Sequence, residues 1–198
     1  MSAIGKVTTG FSKPYVAKYA VSGDSVSYTN LQKLARGVEV SIEPETSDAS
    51  KFYADNIVAE SIGAQFTGGT ATITVDGLLQ DAEKFIQGLP TAGEDGFIAY
   101  DNTQDAPKLG FGFIVRSMSG GTTYYTPVVL TKIVFDPLGN AAKTQEDAVD
   151  WQTQELKATI MRDDTSKQTW KFVGTDYTTE SAAENALIVK LGGSIITT

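Results

Sequence analysis

At 198 residues and 41% apolar content, the chain is sized for one domain with a sizeable core. It contains neither cysteine nor histidine, which excludes thiolate nucleophiles, zinc sites of the usual Cys/His kind, a disulfide framework and the commonest base near neutral pH. Its formal net charge of −8 is scattered rather than gathered into a tail, and an acidic surface repels nucleic acid instead of gripping it.

The first ten residues lack an apolar segment of signal-peptide length. The longest apolar runs, such as Val128–Leu130 and Ile133–Phe135, fall far short of the roughly 18 residues that span a bilayer. The expectation is a soluble product of the cytoplasm with no membrane partner.

In chain order, Pro14–Ala20 is a short β-rich run, Ser22-Gly23-Asp24 a turn, and Val26–Tyr28 the return strand of a small hairpin. Over Gly37–Glu43, Val38, Val40 and Ile42 alternate with Glu39, Ser41 and Glu43, which predicts a sheet with one buried and one wet face. Pro44–Ser50 reads as a loop and Lys51–Glu60 as an extended arm or loop. Gly68-Gly69 is a turn signal, or a place of close sheet packing, ahead of a second alternating strand over Thr70–Asp76. That strand sets Ala71, Ile73 and Val75 against Thr70, Thr72, Thr74 and Asp76. Helical spacing then carries Leu78 to Gln87, with Asp76 the expected N-cap, Gly88 the C′ residue and Pro90 a barrier to continuation.

Residues 89–108 predict a long loop around a short strand near Phe97–Tyr100. Leu109–Met118 and Thr123–Phe135 form a hairpin closed by Gly120-Gly121, with Pro127 at an edge or bulge. Asp136–Asp147 is a loop. Ala148–Met161 alternates again, with Trp151, Thr153, Glu155, Lys157 and Thr159 on one side. Asp163-Asp164 starts a turn, Thr169–Val173 is a strand and Glu180–Leu187 a second helix. The tail over residues 192–198 is a final strand or a flexible end. The fold class expected is mainly β: an antiparallel sandwich or barrel in a single domain, 1–198, with one or two short flanking helices and long loops.

Chemistry has little supply. The carboxylates of Asp101-Asp105 and Asp163-Asp164 suit turn formation better than glycoside hydrolysis, so no catalytic residue is assigned and the chain is not read as an enzyme. Neither Asp76-Gly77 nor the acidic loop of residues 95–105 has calcium-loop spacing, and Gly110-Phe111-Gly112 builds no phosphate cradle. No metal or cofactor is expected. Tyr15, Tyr19, Tyr28, Phe52, Tyr53, Tyr124 and Tyr125 could form a sugar-binding platform, which makes a carbohydrate-binding or adhesin-like β-domain the alternative reading.

Lys13–Tyr19, Lys51–Ser61, Phe66–Leu78 and Leu109–Arg116, followed in order by Leu130–Gln145, Asp150–Met161 and Thr169–Leu187, together resemble the major tail proteins of long-tailed bacteriophages, in the group called phi13-type. The resemblance spans nearly the whole chain except residues 89–108. It implies a tail tube subunit: a β-sandwich that forms six-membered rings, stacked into a tube through which DNA passes without specific binding on its way into the host. Its partners would be copies of itself and the tape measure, tail terminator and distal tail proteins, and its place the virion, after synthesis in the host cytoplasm. Under that reading Glu39, Ser41, Glu43, Thr70, Thr72, Thr74 and Asp76 line the channel, or else meet the outside solvent. Lys51, Phe52, Tyr53, Asp55, Ile57 and Val58 belong to an arm that docks on a neighbouring subunit.

Overall fold

The computed structural model describes residues 5–55, 57–90, 96–101, 104–139, 144 and 151–194. The chain is mainly β: an eight-stranded antiparallel sheet, a separate two-stranded hairpin and two short helices. The sheet comprises β1 (Val7–Ser22), β2 (Ser25–Lys33), β3 (Gly37–Thr46), β6 (Phe66–Val75), β7 (Leu109–Ser119), β8 (Thr122–Phe135), β9 (Gln154–Met161) and β10 (Lys171–Val173). Its order is β2-β1-β7-β8-β9-β6-β3, with β10 added to β8 beyond the end of β9. The sheet is not closed. It curls over one core without β1 and β3 pairing among the described residues, and they come close where the Phe11 ring of β1 lies so near Gly37 of β3 that a Cβ there would collide with it. This is the mainly β, antiparallel class expected, and it is compatible with the sandwich.

Patterning explains which strands sit where. In β1, β7 and β8 adjacent residues enter two different cores. Val16, Phe111, Phe113, Val128 and Leu130 face inward, while Tyr15, Ala17, Ile114 and Val129 pack against Ala183, Leu187 and Ile188 of α2 (Glu180–Lys190) and its C-cap Leu191. A strand covered on both faces needs near-continuous apolar sequence, which is why Leu109–Val115 and Val128–Phe135 barely alternate. By contrast β3, β6 and β9 have a single covered face and alternate cleanly. The inner core is closed at one end by Ile86 of α1 (Gln80–Gln87).

Glycine serves close approach in this packing. A Cβ at Gly110 would strike the Tyr28 ring, and one at Gly112 would lie 2.6 Å from Leu187 Cδ1, inside the α2 contact. Gly69 is no turn: it lies within β6, where a Cβ would meet the Glu43 carbonyl oxygen of β3 at 2.6 Å. Pro127 costs β8 no bond to β7. Tyr125 exchanges backbone bonds with Tyr177 on the far side, and two residues on Pro127 turns its ring nitrogen the same way.

Several local expectations are corrected. β1 begins at Val7 rather than Pro14, because bulges at Thr8–Gly10 and Ser12–Tyr15, with Lys13 at φ 55°, break its alternation. β3 runs on through Pro44, which an edge strand tolerates. Helix α1 starts at Gln80 behind Leu79, which makes no side-chain cap, because the Asp76 carboxylate holds Arg36 instead. At its other end Gly88 takes the left-handed conformation (φ 66°) as expected and donates its N–H to the Lys84 carbonyl. Phe97–Tyr100 is irregular, not a strand; Phe97 is exposed and the Tyr100 hydroxyl donates to Glu83 Oε1 at 2.5 Å. The strand expected over Thr169–Val173 begins at Lys171. Trp151 lies exposed ahead of β9, and residues 148–150 and 195–198 fall outside the description.

Candidate assembly surfaces

The sequence-predicted wall residues come together on one face. The register sets Glu43 beside Thr70 and Thr70 beside Thr159, then Ser41 beside Thr72 and Lys157, then Glu39 beside Thr74 and Glu155. Strand parity sends all nine side chains outward, away from Val40, Ile42, Ala71, Ile73, Val75, Leu156, Ala158 and Ile160. The result is a contiguous polar wall three strands wide over a dry interior. Its charges are Glu39, Glu43 and Glu155 against Lys157, which sits 3.6 Å from Glu155 in an exposed pair.

Asp76 is the exception among these residues. Past the end of β6, its Oδ1 accepts the Arg36 backbone N–H at 2.9 Å and its Oδ2 lies 2.6 Å from Arg36 Nε. The Arg36 backbone N–H, then the guanidinium charge, hold this carboxyl below the usual range. Asp76 clasps the β2–β3 corner instead of standing free on the wall. Conversely, Glu155, Lys157 and Thr159 of β9 belong to the wall although no site was assigned to them from sequence. Their alternation was visible; that β9 pairs with β6 was not.

The predicted arm is ordered differently from an extended loop. β4 (Ser50–Ala54) and β5 (Ile57–Ile62) pair antiparallel as an insertion between β3 and β6. Asp55, at φ 50°, follows the last residue of β4, and Asn56 is outside the description. Lys51, Ile57 and Ile62 are exposed; the backbone at Phe52, Tyr53 and Val58 is in these strands, and their side chains lie outside the description. Among the described residues the hairpin pairs with no strand of the main sheet. A two-stranded hairpin with exposed isoleucines has little to hold it in water on its own.

Two of the tyrosines are not available to a surface platform. Tyr15 and Tyr28 are buried, with hydroxyls donating to Glu184 Oε1 at 2.6 Å and to the Thr131 carbonyl at 2.9 Å. Burial raises both phenols, and Glu184 adds to the effect at Tyr15. The acidic pair of the 163–164 turn is likewise structural. Asp163 accepts from the backbone N–H groups of Thr165 and Thr169, while Asp164 binds Lys132. Among the described residues no group of three or more acidic side chains is arranged to hold a metal ion, and no helix is long and apolar enough to cross a membrane.

What the arrangement offers is surface: a wet acidic wall, open sheet edges and a hairpin with exposed isoleucines. The sequence matches no protein-family model and no curated protein.

Proposed function

We propose that this chain is a structural subunit of a bacteriophage tail tube, self-assembling into stacked rings, six-membered in the family it resembles, that form the channel for DNA ejection. The observation that carries the reading is the polar wall of β3, β6 and β9, with its hydroxyl rows and three carboxylates over an apolar backing. Duplex DNA carries one negative charge per roughly 1.7 Å of axis, so a basic lining would grip it and this one lets it slide. Wall charges act within about 8 Å at physiological salt, the distance at which a narrow tube would hold its cargo.

The hairpin β4–β5 supports the same reading as an arm awaiting a neighbouring subunit. In this role the partners are copies of the chain, with other tail proteins at the tube ends, and the site of action is the virion. Sedimentation velocity across concentration, with negative-stain imaging of the same samples, tests it. Rings or tubes are expected; a strict monomer at every concentration overturns the reading.

A further inference from the structure

We propose that the slot between the first half of β1 and strand β3 receives strand β4 from a second copy of this chain. This deepens the assembly reading and rests on it for the identity of the occupant. The slot is a feature of the sheet's ends. β2 covers the outer edge of β1 only from Tyr15 to Ser22, so Val7–Lys13 has no ladder partner on that side among the described residues. β3 pairs with β6 on one side and, among the described residues, with no strand on the other. Between these two edges runs a groove of about 450 Å³, floored by apolar groups such as Phe11, Val40, Ile42 and Phe113 and flanked by Glu39 and, from β10, Lys171. Val38, at the bulge between Gly37 and Glu39, is 53% exposed on the rim of this groove. The inner core is open to water here.

An added strand would close the gap by pairing its backbone with β3 and covering those apolar groups. Charge selects the strand. The open edge of β3 carries Glu39, Glu43 and Glu45, which disfavour any acidic newcomer, and Pro44 has no N–H to offer and confines pairing to the Gly37–Glu43 stretch. β4 reads Ser-Lys-Phe-Tyr-Ala: one cation, no acid, and five residues that span about 17 Å. β5 carries Glu60 and suits the edge less. Donor and acceptor are different patches of one chain, so the contact is head-to-tail and propagates around a ring until it closes.

The absence of cysteine makes the test clean. Val38→Cys and Ser50→Cys variants of the full chain are mixed in equal amounts and treated with a short bismaleimide, which tolerates either strand direction. Circular dichroism of each variant checks that it is folded. A covalent heterodimer is expected in the mixture, reduced several-fold when Lys51→Glu is added to the donor. Rings that form without the cross-link overturn the slot assignment and leave the tube reading standing. A cross-link without rings or tubes upholds the assignment and sinks the tube reading. A double-cysteine chain that cross-links only within itself shows the hairpin folding back on its own edge, which also overturns the proposal, as does the absence of both cross-link and rings.

Discussion

Lys132 sits in β8 with its side chain 7% exposed, its ammonium 2.6 and 2.8 Å from the two oxygens of Asp164 and 5.5 Å from the centre of the Tyr19 ring. The Tyr19 hydroxyl in turn accepts the Asp164 backbone N–H at 2.9 Å, so one cation fixes both β1 and the 163–169 turn. Asp164→Asn leaves that cation without its counter-charge. Because the carboxylate is 45% exposed and water screens the pair, the expected loss is about 1–2 kcal/mol, less than for a fully buried pair. A urea-unfolding midpoint unchanged by the substitution contradicts this. The same pair contributes to acid lability. Asp164 is held below the usual carboxylate range chiefly by the Lys132 hydrogen bond, and Asp24 by the Ser166 backbone N–H. Asp176 is lowered by Lys6, and in Glu184 the bonds from Tyr15 and Lys13 outweigh an opposing effect of burial. Each of these groups has a folded pKa below its unfolded one, so its contribution is complete above the ordinary value of roughly 4. It is lost as pH falls through that value toward the depressed folded ones. Unfolding midpoints should therefore be flat from pH 7 to about 5 and fall below about 4, with a shallower fall in Asp164→Asn.

At the scale of elements, β6 offers a paired contrast between adjacent glycines. A Cβ at Gly69 would press on the Glu43 carbonyl and the Pro44 backbone, whereas one at Gly68 would find its nearest neighbour, the Ile160 carbonyl, at 3.6 Å. Gly69→Ala should cost about 1–3 kcal/mol by prising β3 from β6, and Gly68→Ala should stay within about 0.5 kcal/mol. Equal denaturation midpoints for the two variants would show that the β3–β6 spacing is not set by this contact. Elements with a single wet face were legible in the sequence: β3, β6 and β9 announce themselves through alternation, and the wall residues of β3 and β6, Asp76 apart, follow from it. Strand ends were less so. The N-terminal half of β1 hid behind two bulges, and the hairpin 50–62 hid because its two strands carry no clean in-or-out pattern. Hairpin partners were legible, as in β1–β2 and β7–β8, but pairing between strands distant in sequence was not. Nothing local in Gln154–Met161 says that its neighbours are β6 and β8, a choice made by burial between segments far apart in the chain, with Gln154 of β9 beside Val75 of β6.

The whole molecule has two unlike sides. Helix α2 covers β1, β7 and β8, and nothing among the described elements covers the outer face of β3, β6 and β9. A subunit that must present one face to passing DNA and the other away from it would be built in this way, and a net charge of −8 adds repulsion on every side. The orientation can be read directly because the chain brings no thiol of its own. Ser41→Cys marks the acidic wall and Ser181→Cys marks the first turn of α2; both positions are exposed in the single subunit, and both variants should react with a bulky polyethylene glycol maleimide before assembly. After assembly a lumenal wall excludes the polymer by size, so Ser41→Cys should lose most of its labelling while Ser181→Cys keeps it. A small maleimide, able to diffuse along the channel, should still reach both. If assembled tubes label at position 41 and not at 181, the acidic wall faces the outside, and the repulsion it exerts then bears on neighbouring tails and the host surface rather than on the genome within.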